Sequence, residues 1–120
     1  MDVVAVILVA LVALLHTWFL VLEMFLWNTP VGHATFGLEP SFAEQSKAMA
    51  ANQGLYNGFL VAGLVYGLAG PDEHRFSFQV FFLLCVVVAG GYGAATVNKR
   101  VLVVQAVPAV LALVAVLAAH

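Results

Sequence analysis

Four long apolar stretches, parted by short polar interruptions, set the pattern of this chain. Crossing the hydrocarbon of a bilayer as a helix takes about 20 mostly apolar residues. Stretches at about 3–27, 48–69, 76–97 and 101–119 qualify. Gly70-Pro71-Asp72-Glu73 between the second and third carries strong turn signals. Asn98-Lys99-Arg100 between the third and fourth is a very short charged turn. Connections this tight make the joined helices antiparallel neighbours. The expected fold class is all-α: an integral-membrane, up-and-down four-helix bundle forming one transmembrane domain over residues 1–120.

The first connection differs from the other two. From Asn28 to Pro40 it holds two prolines, two glycines and His33, and reads as irregular. Ser41-Phe42-Ala43-Glu44 then reads as a capping box, the serine oxygen accepting a backbone N–H while the glutamate reaches back. The second helix is therefore expected to start near Ser41. At 1.5 Å per residue it outruns the bilayer core, and its first turns project into the aqueous boundary.

Composition strengthens the membrane reading. Of 120 residues, 64% are hydrophobic and 8% charged, and the mean hydropathy is +1.07. A chain this short encloses too small a core to bury so much apolar surface, so lipid has to cover it. The formal charge of −2 is too small to point to nucleic acid. The lone Cys85 lies in an apolar run and reads as a small buried hydrophobe. Met1-Asp2 opens without a basic segment and the following apolar run is long, unlike a removable signal. Lys47, Lys99 and Arg100 lie on one side of the expected spans, against Arg75 on the other. The positive-inside rule then puts the first and third loops in the cytoplasm and both termini outside. Trp18 is too deep for an interface anchor, whereas Trp27 stands where an aromatic belt residue belongs.

Polar residues inside the spans are the candidates for chemistry, because ionisable groups in hydrocarbon are costly and face protein or a cavity. His16 and Glu23 lie two turns apart on one face of the first span. Roughly 10 Å of helix axis separates them, a gap that waters or a ligand would bridge. Glu23 has a plain alternative as a near-interface carboxylate reaching a loop cation, and His16 one as an imidazole satisfied by a neighbouring helix. In the second span, Asn52 and Tyr56, and Gln53 and Asn57, form i,i+4 pairs. Gly54 with Gly58, and Gly63 with Gly67, invite close helix approach. Such amides also act as interhelical glue, for about 0.6 to 2 kcal/mol each. Tyr92 and Thr96 share a face of the third span. In the fourth, Pro108 is expected to kink the helix and free the carbonyl of Val104, beside Gln105. On the expected topology these groups gather in the cytoplasmic leaflet, while the outer halves are nearly pure Val, Leu, Ala and Phe apart from Tyr66 and Gln79. That predicts a cavity open to the cytoplasmic leaflet, lined by His16, Glu23, Asn52, Gln53, Tyr56, Asn57, Tyr92 and Gln105.

Three strings, A-N-Q-G-L-Y-N-G-F at Ala51–Phe59, A-G-G-Y-G-A-A-T at Ala89–Thr96 and Q-A-V-P-A at Gln105–Ala109, occur in order over nearly the whole chain. With His16 and Glu23 in the first span, they resemble a bacterial family of small four-span proteins, domain of unknown function 1304. The resemblance implies a four-span fold in the bacterial inner (plasma) membrane and brings no activity. More distantly, a long cytoplasmic first loop and a second span opening with Lys47 and Asn52 are similar to the MAPEG group. Those are trimeric membrane enzymes of eicosanoid and glutathione metabolism, with a site between protomers in the cytoplasmic leaflet. Leu55 and Tyr56 stand where that group carries its glutamate, and its thiol-activating arginines have no counterpart in the spans.

Three functions fit these residues. The protein binds or translocates a small or lipid-soluble molecule. Alternatively it is a membrane enzyme acting on an amphipathic substrate, with His16 or Glu23 as general base and Tyr56 or Tyr92 donating to an oxyanion. In the third, it is an accessory subunit whose amides only hold a bundle together. No metal-ligand spacing, phosphate-cradling loop or nucleophile motif occurs, and the residues leave any cofactor unknown. The small-residue faces and intramembrane amides point to a homo-oligomer in the lipid bilayer.

Overall fold

The computed structural model describes residues 2–97, 99–100 and 102–120. Its helices are α1 (Val3–Met24), α2 (Pro30–Phe36), α3 (Pro40–Ala69), α4 (Asp72–Thr96) and α5 (Val107–Ala119). A π-helical turn, Leu102–Ala106, leads into α5. No strand occurs among the described residues, so the fold is all-α. Among the described residues two helices, α1 and α4, are long and apolar enough to cross a membrane. The apolar helix Val103–Ala119 is shorter, and α3 carries the polar run from Asn52 to Asn57. The chain divides into two compact units, and the division falls inside α1 and α3.

The first unit takes Met1–Leu14 and Ala62–His120. Asp2 starts α1, its carboxylate accepting the backbone N–H of Ala5 at 3.0 Å, as an N-cap does. At the α3–α4 turn the Arg75 guanidinium donates to the Gly70 carbonyl (2.7 Å) and pairs with Asp72 (3.0 Å). Helix α4 begins at Asp72, a turn earlier than the apolar pattern predicts. Asp72 and Glu73 sit in its first turn, where the helix dipole favours negative charge. The two glycines at the end of α3 face α4: a Cβ at Gly63 would meet the Phe82 ring, and one at Gly67 would meet Gln79. Contacts climb α3 as they descend α4, the antiparallel pairing expected of a tight turn.

At the far end of α4 the approach is backbone on backbone. A Cβ on Gly90 would lie 2.8 Å from the Cβ of Ala106 and 2.9 Å from its nitrogen. Only glycine lets the π turn come this near. The turn itself answers the kink expected at Pro108. That residue has no N–H for the carbonyl one turn back, and the helix widens into the π turn just before it. Ala106, Ala109, Ala112 and Val116 form the buried face leading through α5, and Gln79, Leu83, Val86 and Gly90 that of α4. Of the expected third turn and fourth span, Asn98 and Val101 lie outside the described residues.

The second unit is Leu15–Val61. Here the C-terminal turns of α1 pack against α3. A Cβ on Gly54 would come 2.5 Å from Met24 Cγ and 3.2 Å from Glu23 Cβ, and one on Gly58 would come 3.1 Å from Leu20 Cδ1. The connection expected to be irregular contains α2. Thr29 caps it, its oxygen accepting from the N–H of Gly32 (3.4 Å), Pro30 opens it, and Gly37 closes it in the left-handed conformation (φ 65°). These are ordinary helix start and stop signals, compressed into too few residues to show a hydrophobic period. The capping box is also corrected. Helix α3 starts at Pro40, where the missing N–H costs nothing, so Ser41 already lies inside it. Glu44 reaches Lys47 and Asn28 instead.

Candidate functional site

Helix α1 presents a buried stripe, Ala5, Val9, Val12 and His16, at the spacing of one helical face. His16 is 0% exposed, with the Phe19 ring edge-on at 5.2 Å. Two turns further along, the carboxylate of Glu23 is half-buried. It accepts a hydrogen bond from the side-chain amide of Asn57 on α3, at 2.5 Å. The close packing of Gly54 and Gly58 on α1 brings this about, because it leaves Asn57, between them, a short reach to Glu23. The expected reach of Glu23 to a loop cation is not what is found, since its described partner is the amide.

Of the eight residues expected to line one cavity, six belong to the second unit. Glu23 and Asn57 are brought together. Asn52 and Gln53 are exposed on α3 and make no side-chain hydrogen bond among the described residues. Tyr56 is exposed too, its ring edge-on to Phe59 at 5.7 Å. The other two, Tyr92 on α4 and Gln105 in the π turn, belong to the first unit. Tyr92 is 72% exposed, and Gln105 is half-buried.

A polar network that sequence reasoning did not assemble lies beside this site in the second unit. His33 Nε2 meets Asn28 Oδ1 at 2.9 Å, Asn28 donates its amide to Glu44 (2.7 Å), and Lys47 pairs with the other oxygen of Glu44 (2.9 Å). The bonded Lys47 ammonium and its charge hold the Glu44 carboxyl below the usual carboxylate range, with a further contribution from Asn28. Trp27, expected as a belt residue, donates its indole N–H to Ser46 (3.0 Å), and its ring packs tilted against Phe36 at 4.9 Å. The signal for the network was present: Asn28 and His33 flank a Thr-Pro helix start, and Glu44 and Lys47 are an i,i+3 pair. What it lacked was the distance between the two segments.

The first unit holds a cavity of about 410 Å³ lined by Asp2, Asp72, Arg75, Phe76, Gln79 and His120, among others. The buried Gln79 donates to the Gly67 carbonyl at 2.6 Å, and the His120 ring lies flat on Phe76 at 3.6 Å. The sequence pattern, with its nearly pure apolar outer halves, gives no hint of this opening, because its polar residues come from three segments remote in the chain. Among the described residues no three His, Cys, Asp or Glu side chains cluster closely enough to hold a metal ion.

Known proteins agree with the motif pattern. The chain is 28% identical over 116 residues to an uncharacterized protein, YpaA, of Lactococcus lactis subsp. lactis (strain IL1403), covering 95% of this chain and 97% of that one. No solved structure matches. The family match and this relative bring no support for the expected likeness to the MAPEG group. Residues 10–117 match the family described as "Protein of unknown function (DUF1304)", and the chain belongs to that family.

Proposed function

We propose that this is a four-span protein of the bacterial inner membrane that binds or translocates a small or lipid-soluble molecule at a polar site in the cytoplasmic leaflet. The spans are α1, α3 from about residue 48 onward, α4, and the π turn with α5. Both termini face outward and the α1–α3 connection is cytoplasmic. The site is the second unit's set of Glu23, Asn57, Asn52, Gln53 and Tyr56, with His16 two turns deeper. The observation that carries this reading is the bond from Asn57 to Glu23. A carboxylate near the end of an apolar helix is held by a neutral amide, its partner among the described residues, and an amine or hydroxyl on a ligand would find an acceptor there.

We also propose a homo-oligomer. Asn52 and Gln53 are exposed and make no side-chain hydrogen bond among the described residues, and in a bilayer such amides are satisfied across helices of a second copy. The accessory-subunit reading is favoured by the same Glu23–Asn57 bond, taken as glue. Mass spectrometry of the purified protein separates the two. The ligand reading expects a co-purifying small molecule that is lost in Glu23→Gln and in Asn52→Leu, both still folded. A folded wild type that carries nothing, or variants that keep the ligand, would sink it.

A further inference from the structure

Residues 24–38 contain no Asp, Glu, Lys or Arg, whereas about a quarter of an average chain is charged. Each hydrogen-bonding side chain from Trp27 to Thr35 has a partner within the protein. Trp27 donates to Ser46. Asn28 uses both ends of its amide, on Glu44 and His33. Thr29 donates to the Leu26 carbonyl and Thr35 to that of Val31, both at 2.7 Å. Apolar side chains are exposed in the same segment: Phe25 is 69% exposed and Val31 49%, and Pro30, Ala34 and Phe36 are exposed too, as are the paired Asn28 and Thr35.

A loop in water usually shows charged and unpaired polar groups to the solvent. Polar side chains paired within the protein, in an uncharged segment that exposes several apolar residues, suit a lipid environment, which offers no hydrogen bonds of its own. The patch also begins at Phe25, directly after α1, one of the two helices apolar and long enough to span. We propose that α2 and its flanks form an interfacial element. It lies in the headgroup–acyl boundary of the cytoplasmic leaflet, with Phe25, Val31 and Ala34 towards the acyl chains and Glu39, Glu44 and Lys47 towards water. This rests on the reading of α1 as a span. It adds that the first connection is a surface-lying helix rather than a cytoplasmic loop, forming a floor beside the Glu23 site.

Single cysteines test it. In a Cys85→Ala background, Val31→Cys, Ala34→Cys and Glu39→Cys are each labelled with an environment-sensitive fluorophore. The proteins are reconstituted into phosphatidylethanolamine–phosphatidylglycerol vesicles. Nitroxides on the shallow part of the acyl chain should quench the Val31 and Ala34 labels roughly twofold more than the Glu39 label, and iodide in the water should favour Glu39. Iodide reaching Val31 and Ala34 as easily as Glu39 places the loop in water and overturns the proposal. Labels that neither quencher reaches are covered by another copy or another protein, which overturns it equally. Carbonate washing of membranes decides which reading has failed. Protein that washes off contradicts the spans themselves, and protein that stays leaves the spans standing whatever the quenching shows.

Discussion

Asn57 on α3 donates its side-chain amide to Glu23, 34 residues earlier on α1. The bond is possible because glycines stand three residues before Asn57 and one after it, and let the two helix backbones close up. Replacing Asn57 with Ala strips a half-buried carboxylate of its donor. That should cost about 1–3 kcal/mol, read as a lower melting temperature in detergent. Glu23→Gln keeps an acceptor for the amide and should cost less. If Asn57→Ala melts like wild type, the bond is not a structural tie.

Gly90 is a position of the first unit where a side chain would be costly. Its missing Cβ makes room for the backbone of Ala106, and backbone cannot rotate aside. Gly90→Ala should destabilise by about 1–3 kcal/mol through overpacking. Gly54→Ala presses mainly on Met24 Cγ, the flexible part of a side chain, and should cost less. Thermal melts of the two variants side by side test this ordering.

The pair of Glu44 with Lys47 makes the α2 connection sensitive to acid. The folded protein holds the Glu44 carboxyl below its ordinary value. Its contribution is therefore complete above the usual carboxylate range and is lost as pH falls through the depressed value. Because both groups are well exposed, the effect should be small and weaken further in high salt. Emission from Trp27, bonded to Ser46 on the same helix as Glu44, should report it. The acid-side change should shrink in Glu44→Gln, and an identical titration in that variant would remove Glu44 as the cause.

If α3 meets a second copy through its exposed amides, the double variant Asn52→Leu with Gln53→Leu should favour the monomer. At about 0.6–2 kcal/mol per interhelical contact, two lost contacts weaken association by roughly one to three orders of magnitude. Light scattering of the protein in mild detergent checks this. Wild type running as a monomer, or a double variant with unchanged mass, would remove α3 as the interface.

The long helices were legible because apolar residues run on for twenty or more positions. The turn at Gly70-Pro71 was legible because proline and glycine punctuate the chain. Helix α2 was missed because two turns are too short to establish a period, although Thr29, Pro30 and Gly37 mark both its ends. The capping box was misplaced because Pro40, rather than Ser41, takes the first helical turn. Of the candidate site, the shared face of His16 and Glu23 follows from helical spacing. The amides could be named but not sorted, since Asn52, Gln53 and Asn57 look alike in sequence.

By itself the sequence determined an all-α chain, the places where its helices break, and the side chains able to do chemistry, because these depend on local periodicity and backbone preference. The tertiary structure decided which amide reaches Glu23, which residues join His33 to Lys47, and which face the first connection turns outward. Those are matters of contact between segments remote in the chain, set by where glycines let backbones meet. Local sequence carries no record of that distance.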